Sequence, residues 1–283
     1  MATDSTHYYL PEPSRWPVTG SIAIFTMALS AVLLVNGLGS GWILLAIGAA
    51  ILIYMLFGWF GTVIRESEGG KYNKQVDISF RWGMSWFIFS EVMFFAAFFG
   101  ALFYMRTFAV PWLASGDTGE MLWPGFNGTW PSAGPYLKSA FQPMAPWGIP
   151  ALNTLILLSS GATVTWAHWG LKKGNRGQLV FGLFLTVALG CLFLGLQAYE
   201  YHHAYTEMGL TLGAGAYGAT FFMLTGFHGF HVTLGTIMLI VILFRALKGH
   251  FTPEHHFAFE GVSWYWHFVD VVWLLLFVLV YWL

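Results

Sequence analysis

Long apolar segments, separated by short polar connections, dominate this sequence. Seven of them can be marked, each bounded by Gly, Pro or charged residues. Each reaches the length of about 20 residues that a helix needs to cross a hydrocarbon core about 30 Å thick. The segments lack the alternation of barrel strands, and a helix satisfies its backbone hydrogen bonds internally. The pattern predicts an all-α membrane protein with helices at 16–37, 41–64, 79–105, 149–172, 177–203, 217–247 and 258–283.

The composition supports a chain that lies in lipid. Hydrophobic residues make up 57% of it and charged residues 9%, against about 25% charged residues in a soluble domain. The net charge is -1 without a basic stripe, which argues against nucleic acid as a partner. A single cysteine, Cys191, excludes an internal disulfide and a C-x-x-C-H haem attachment. The N-terminus has no basic segment before a short apolar one, so we expect no cleavable signal peptide.

The basic residues separate the two sides of the predicted bundle. One side has only Arg106 and Lys138, both near the ends of the third connection. The other side has ten of the twelve basic residues: Arg15, Arg65, Lys71, Lys74, Arg81, Lys172, Lys173, Arg176, Arg245 and Lys248. Because positive charge concentrates in cytoplasmic connections, we expect a cytoplasmic (or matrix) N-terminus and an outward C-terminus.

The third connection, at 106–148, is the only long loop and is rich in Gly, Pro and Trp. It is either an interfacial cover anchored by its tryptophans, which we favour, or a segment that contacts a partner. We find no internal repeat, which argues against the commonest type of transporter.

Two carboxylates are predicted at mid-membrane depth. Glu91 follows Arg81 by ten residues, which is about 15 Å along a helix. Asp270 follows Glu260 by the same distance. A charged carboxylate is costly at this depth, so Glu91 must face protein or water and is expected to be protonated unless it is partnered. It either forms a hydrogen bond across a helix interface or takes part in moving protons.

Three histidines lie in the sixth and seventh predicted helices. His228 and His231 are three residues apart and could ligate a metal or a haem. We favour hydrogen bonding, because glycines around them indicate close helix packing. His267 can pair with Asp270 on the same helix face. Polar residues near helix ends are expected to stay wet at the interface: His168, Glu200, His202 and His203. Arginines at cytoplasmic helix ends either bind lipid phosphates or set the topology: Arg65, Arg81 and Arg245.

Several segments together resemble subunit III of the haem-copper cytochrome c oxidases. They are "RWGMSWFIFSEVMFF" (81–95), "LNTLILLSSGATVTWAHW" (152–169), "LQAYEYHHA" (196–204), "YGATFFMLTGFHGFHVTLG" (217–235) and "WYWHFVDVVWL" (264–274). The approach to the first helix, "PSRWPVTG" (13–20), is also similar. The first two helices, at 16–64, favour the cytochrome c oxidases over the quinol oxidases.

The resemblance implies a two-helix bundle (16–64) and a five-helix bundle (79–283) around a V-shaped cleft filled with phospholipids. It implies no catalytic residue, metal or redox cofactor in this chain, with haem a and copper in subunits I and II. Cytochrome c would be the substrate of the complex, which pumps protons in the respiratory chain. This chain would pack on subunit I, support proton uptake and protect the complex during turnover.

The resemblance also assigns residues. Glu91 corresponds to the family's buried carboxylate, Arg81 to its motif arginine and Arg245 to a second lipid-binding arginine. The family motifs that contain His228, His231, His267 and Asp270 imply internal packing and hydrogen bonding for these residues.

Two departures bear on the source of the chain. Gly100 replaces a tryptophan usual in mitochondrial members, and the third connection is longer than theirs. The longer connection indicates a bacterial plasma (inner) membrane, with a periplasmic C-terminus, rather than the mitochondrial inner membrane.

Two other functions stay open. The chain could be a redox protein that binds its own haem through His228, His231 or His267. It could also be a proton-coupled carrier that uses Glu91 and Asp270.

Overall fold

The computed structural model describes residues 9–137 and 141–283, apart from the side chain of Thr118. This part of the chain is helical and contains no strand. Seven of its helices are long and apolar enough to cross a membrane. The predicted class, an all-α multi-pass membrane protein with seven spans, is therefore confirmed.

The seven long helices match the predicted spans within a few residues. They are α1 (Trp16–Val35), α2 (Ser40–Glu68), α3 (Lys74–Tyr104), α4 (Ile149–Lys172), α5 (Arg176–Thr206), α6 (Gly215–Leu247) and α7 (Phe257–Leu276). The end of α7 differs most, because a π-helical segment follows it as far as Trp282. Next are the end of α2 and the start of α3, where polar turns extend the helix beyond its apolar part. Apolar windows report only the part of a helix that lies in hydrocarbon, so they miss such turns.

The third connection starts later than predicted. After Tyr104 the helix continues through a π-helical turn, Met105–Ala109, and a short α-turn, Val110–Leu113. Arg106, which was placed in the connection, lies in this continuation, because the two polar residues Arg106 and Thr107 do not end a helix whose other positions stay apolar. The connection also contains a short helix, Gly116–Leu122. A π-helical segment, Phe277–Trp282, extends α7.

The chain divides into two compact units, Met1–Phe80 and Arg81–Leu283. In the first unit, α1 and α2 pack through small residues. A Cβ atom added to Gly48 would lie 3.1 Å from the backbone N of Met27 and 3.3 Å from the Ala23 carbonyl oxygen. Ser30 is buried and donates a 2.8 Å hydrogen bond to the Gly41 carbonyl. Close backbone approach therefore holds this helix pair together.

In the second unit, α7 packs against α4 through two fully buried tryptophans. The Trp266 indole N–H donates to Ser160 Oγ at 2.9 Å, and the Trp273 indole N–H donates to Thr154 Oγ1 at 2.9 Å. Indole rings supply a large packing surface together with one directed donor. These contacts fix the face that α7 turns toward α4. The predicted two-plus-five arrangement around a lipid-filled cleft stays a prediction.

Candidate functional site

Glu91 on α3 and His231 on α6 form a carboxyl–imidazole pair, with 2.8 Å between Glu91 Oε2 and His231 Nε2. The other ring nitrogen, Nδ1, lies 2.6 Å from the Phe227 carbonyl oxygen. A carbonyl only accepts, so Nδ1 carries a proton and donates it there. The contact at Nε2 then holds one further proton, on either the ring or the carboxyl group. The pair is therefore a site that binds one proton between two helices.

Aromatic rings surround the imidazole of this pair. The ring centroids of Phe95 and Phe94 lie 5.0 and 5.9 Å from that of His231, and the Tyr265 ring stacks on it at 6.4 Å. The side chain of His231 is 8% exposed, whereas that of Glu91 is 21% exposed. The Glu91 side chain is thus the more accessible member of the pair.

His267 and Asp270 form a second contact on α7. His267 Nδ1 lies 3.6 Å from Asp270 Oδ2, and its Nε2 lies 3.2 Å from Thr165 Oγ1 on α4. Asp270 is buried, and its carboxyl group lies so close to Gly161 that a Cβ atom there would overlap it. The absence of a side chain at Gly161 lets the carboxyl group reach the backbone of α4.

His228 turns to a different neighbour from His231, although the two are three residues apart. Its Nε2 lies 3.2 Å from the Val269 carbonyl oxygen, and its ring lies between those of Phe193 and Trp273, at 5.8 and 5.1 Å. His228 therefore contacts α7 and His231 contacts α3, so the two rings do not converge on one ligand.

Charged and imidazole groups meet at one end of the second unit. The Arg81 guanidinium pairs with Glu260 Oε2 and also lies over the Phe257 ring, 5.5 Å from its centroid. The other carboxyl oxygen, Oε1, lies 3.2 Å from His256 Nε2 and 3.6 Å from His168 Nε2. The sequence analysis did not group these four side chains.

The other two predicted lipid-binding arginines also have contacts within the chain. Arg245 is 9% exposed, with its guanidinium 4.7 Å from the centroid of the Phe251 ring. Arg65, in the first unit, donates to Thr62 Oγ1 at 3.0 Å. The assignment of Arg65, Arg81 and Arg245 to lipid binding stays a prediction.

The interfacial position expected for Glu200 is wrong. Glu200 is 1% exposed, and the Tyr281 hydroxyl donates a 2.7 Å hydrogen bond to its Oε1. Because α5 continues to Thr206, Glu200 lies more than one turn inside the helix, where it faces the C-terminal segment. His202, two residues later, is exposed as expected.

These features define a multi-pass helical membrane protein whose carboxyl and imidazole groups are paired between helices. The family model for cytochrome c oxidase subunit III matches residues 6–283. Two proteins called cytochrome c oxidase subunit 3, from Marchantia polymorpha and Hippopotamus amphibius, are each 44% identical in sequence to this chain. These alignments cover 100% and 99% of this chain, and 98% of either relative. The relative from Arabidopsis thaliana is 43% identical, over 97% of this chain and 96% of its own.

The chain belongs to the cytochrome c oxidase subunit III family. The resemblance carried by the sequence motifs is thereby confirmed, and the chain is a subunit of an oxidoreductase complex of the respiratory chain.

Proposed function

We propose that this chain is a non-redox accessory subunit of a proton-pumping oxidase. It packs on subunit I, while haem a and copper are held by subunits I and II and cytochrome c delivers electrons to the complex. The observation that supports this proposal is how the histidines inside the helices are engaged. A haem ligand directs a free ring nitrogen at the iron. His231 and His267 instead direct both ring nitrogens at polar atoms of this chain. His228 directs Nε2 at the Val269 carbonyl oxygen, and its other ring nitrogen, Nδ1, has no hydrogen bond but is buried.

Removal of the chain tests this proposal. We expect the remaining complex to keep its reduced-minus-oxidised haem spectrum but to lose activity within fewer turnovers than the complete complex. Adding the purified chain back should restore the lifetime of turnover. A haem band that disappears with the chain would contradict the non-redox role.

The Glu91–His231 pair is proposed to support proton uptake by the complex. Support comes from its single shared proton and from the partial exposure of Glu91. Release of the shared proton would leave the Glu91 carboxylate beside a neutral imidazole, and the partial exposure of Glu91 would let water solvate that charge until another proton is taken up. This role does not require the pair to be an obligatory carrier.

Phospholipid binding is proposed for Arg65, Arg81 and Arg245. Arg65 and Arg245 lie in the last turns of α2 and α6, and Arg81 lies about two turns after the start of α3. Guanidinium groups bind phosphate through paired hydrogen bonds. Replacing Arg81 or Arg245 by Ala should lower the amount of phospholipid that copurifies with the complex, as measured by lipid mass spectrometry. Unchanged lipid content would contradict this assignment.

We also propose that the chain lies in a bacterial plasma membrane with a cytoplasmic N-terminus and a periplasmic C-terminus. The distribution of ten of the twelve basic residues supports this orientation. Labelling of single cysteines placed at either terminus, with a reagent that does not cross the membrane, tests it.

A further inference from the structure

Three potential metal ligands converge at one end of the second unit. His168 comes from the last turns of α4, His256 directly precedes α7, and Glu260 lies in the first turn of α7. The ligand atoms of all three lie within 4.8 Å of one another. Side chains that are distant in the sequence therefore present two imidazole nitrogens and one carboxylate oxygen to a common point.

Each of the two imidazole rings has one nitrogen, Nε2, that forms no hydrogen bond and could bind a metal ion. His256 Nδ1 lies 3.0 Å from the Thr252 carbonyl oxygen, which only accepts, so Nδ1 carries the proton and a neutral ring has its lone pair on Nε2. A backbone carbonyl on the second nitrogen is a common way to orient a metal-binding histidine. His256 is 8% exposed, and its Nε2 is buried without a hydrogen bond, although Glu260 Oε1 lies 3.2 Å away. His168 Nε2 is likewise buried without a hydrogen bond.

The distances suit a tetrahedral ion. With metal–ligand bonds of about 2.0–2.2 Å, tetrahedral donors lie roughly 3.3–3.6 Å apart. The distances from Glu260 Oε1 are 3.2 Å to His256 Nε2 and 3.6 Å to His168 Nε2. Two imidazoles with one carboxylate favour Zn²⁺ and similar divalent transition ions over Ca²⁺ and Mg²⁺, which prefer oxygen ligands.

Neighbouring charges shape this cluster. Arg81 pairs with Oε2 of Glu260 and leaves Oε1 directed at the imidazoles. Arg81 and Lys172, one turn after His168 on α4, also repel a divalent cation. We therefore expect weaker binding than at structural zinc sites, whose thiolates neutralise the ion.

We propose that His168, His256 and Glu260 form a binding site for Zn²⁺ or a similar divalent transition ion, with the fourth position open to water. The ion would tie the end of α4 to the start of α7. This proposal does not depend on the accessory function and departs from the expectation that the chain has no metal site.

Equilibrium dialysis of the purified oxidase complex against buffered Zn²⁺ tests the proposal. The complexes compared are wild type, His256→Gln, His168→Gln and, as a matched control, His255→Gln. The exposed His255 is the direct neighbour of His256. Bound zinc is measured by mass spectrometry and normalised to haem. We expect wild type and His255→Gln to bind one Zn²⁺ more per complex than the other two variants.

Equal zinc content in all four complexes would overturn the proposal, and so would equal losses in His255→Gln and His256→Gln. Should a variant chain fail to assemble, zinc X-ray absorption of the wild-type complex at one added equivalent decides instead. We expect scattering from two imidazoles at about 2.0 Å. A spectrum with oxygen ligands alone would overturn the site.

Discussion

The two units of the chain differ in how deeply the hydrogen bonds between their helices are buried. In the first unit, the only buried polar side chain among the described residues is Ser30, and small residues bring α1 and α2 close together. The indole–hydroxyl bond between these two helices, from Trp16 to Thr62, is only partly buried. In the second unit, helices are joined by pairs such as Glu91–His231 and by indole–hydroxyl bonds such as Trp266–Ser160.

Lipid gives little hydrophobic drive for helix association, so packing and hydrogen bonds must provide it. The difference between the units therefore predicts different weaknesses. Added volume should disrupt the first unit most, and a lost hydrogen-bond partner should disrupt the second.

The largest effect is expected from added volume in the first unit. In Gly48→Leu, the new side chain would meet backbone atoms of Met27 and Ala23, which cannot move aside as a flexible side chain can. Overpacking of this kind costs about 3 kcal/mol. The measurement is the Tm of the purified complex, together with the fraction of this chain retained after heating. Gly39→Leu is the control, because Gly39 has open space around it; equal Tm values for the two variants would contradict the packing argument.

A smaller loss is expected when the second unit loses a hydrogen-bond partner. Glu91→Ala leaves His231 Nε2 buried without its partner, at a cost of about 2 kcal/mol. In Glu91→Gln, the amide can still donate to Nε2, so stability and most oxygen consumption should be retained. Thermal unfolding and oxygen-electrode assays of both complexes check this contrast.

Equal destabilisation by Ala and Gln would show that the Glu91–His231 contact contributes little. An assembled Glu91→Gln complex without turnover would instead make Glu91 an obligatory proton carrier.

The second unit also has a position, Gly161, where a side chain from a neighbouring helix lies so close that added volume should lower stability. Gly161→Ala would push a methyl group into the Asp270 carboxyl group and toward His267 Nδ1. We expect a loss of about 1 kcal/mol, seen as a lower Tm of the complex. Gly195→Ala, in a helix with open space at that position, should be neutral or slightly stabilising. A Gly161→Ala complex as stable as the Gly195→Ala complex would mean that Asp270 can move at no cost.

The smallest effect is expected at an exposed ion pair of the first unit. The hydrogen bond from Lys71 Nζ to Glu12 Oε1, 2.8 Å long, lowers the pKa of the Glu12 carboxyl group. The pair therefore stabilises the fold above the ordinary pKa of a glutamate, and this contribution is lost as the pH falls through the lower value. Because both side chains are exposed, the contribution is small.

The Tm difference between wild type and Glu12→Gln should accordingly be slight at pH 6 and smaller still at pH 3. A difference that grows on acidification would contradict the direction assigned to the pKa shift.

The spans were predictable because, in lipid, an apolar stretch of sufficient length has few structures open to it. The ends of the helices were less predictable than the spans, since polar turns such as that containing Arg106 continue the helix beyond the apolar window. Glu91 and His231 could each be singled out, but their pairing joins positions 140 residues apart in the sequence. Only the packing of α3 against α6 brings them together.

Other polar groups were missed for a related reason. Glu200 looked interfacial because it lies near the predicted end of its helix, yet its side chain is covered by the segment containing Tyr281. His256 and Glu260 are four residues apart, and this spacing could have indicated from the sequence alone that their side chains meet. The contribution of His168 needs the contact between α4 and α7.

The most direct test of the non-redox role is a pair of reduced-minus-oxidised spectra. One is recorded on the complex that copurifies with this chain in mild detergent, and the other on the chain stripped from that complex. We expect haem bands in the complex and none in the isolated chain, because both ring nitrogens of His231 and His267 contact polar atoms of the fold and His228 is buried. Haem retained by the isolated chain would contradict this role and make these three histidines the next residues to replace.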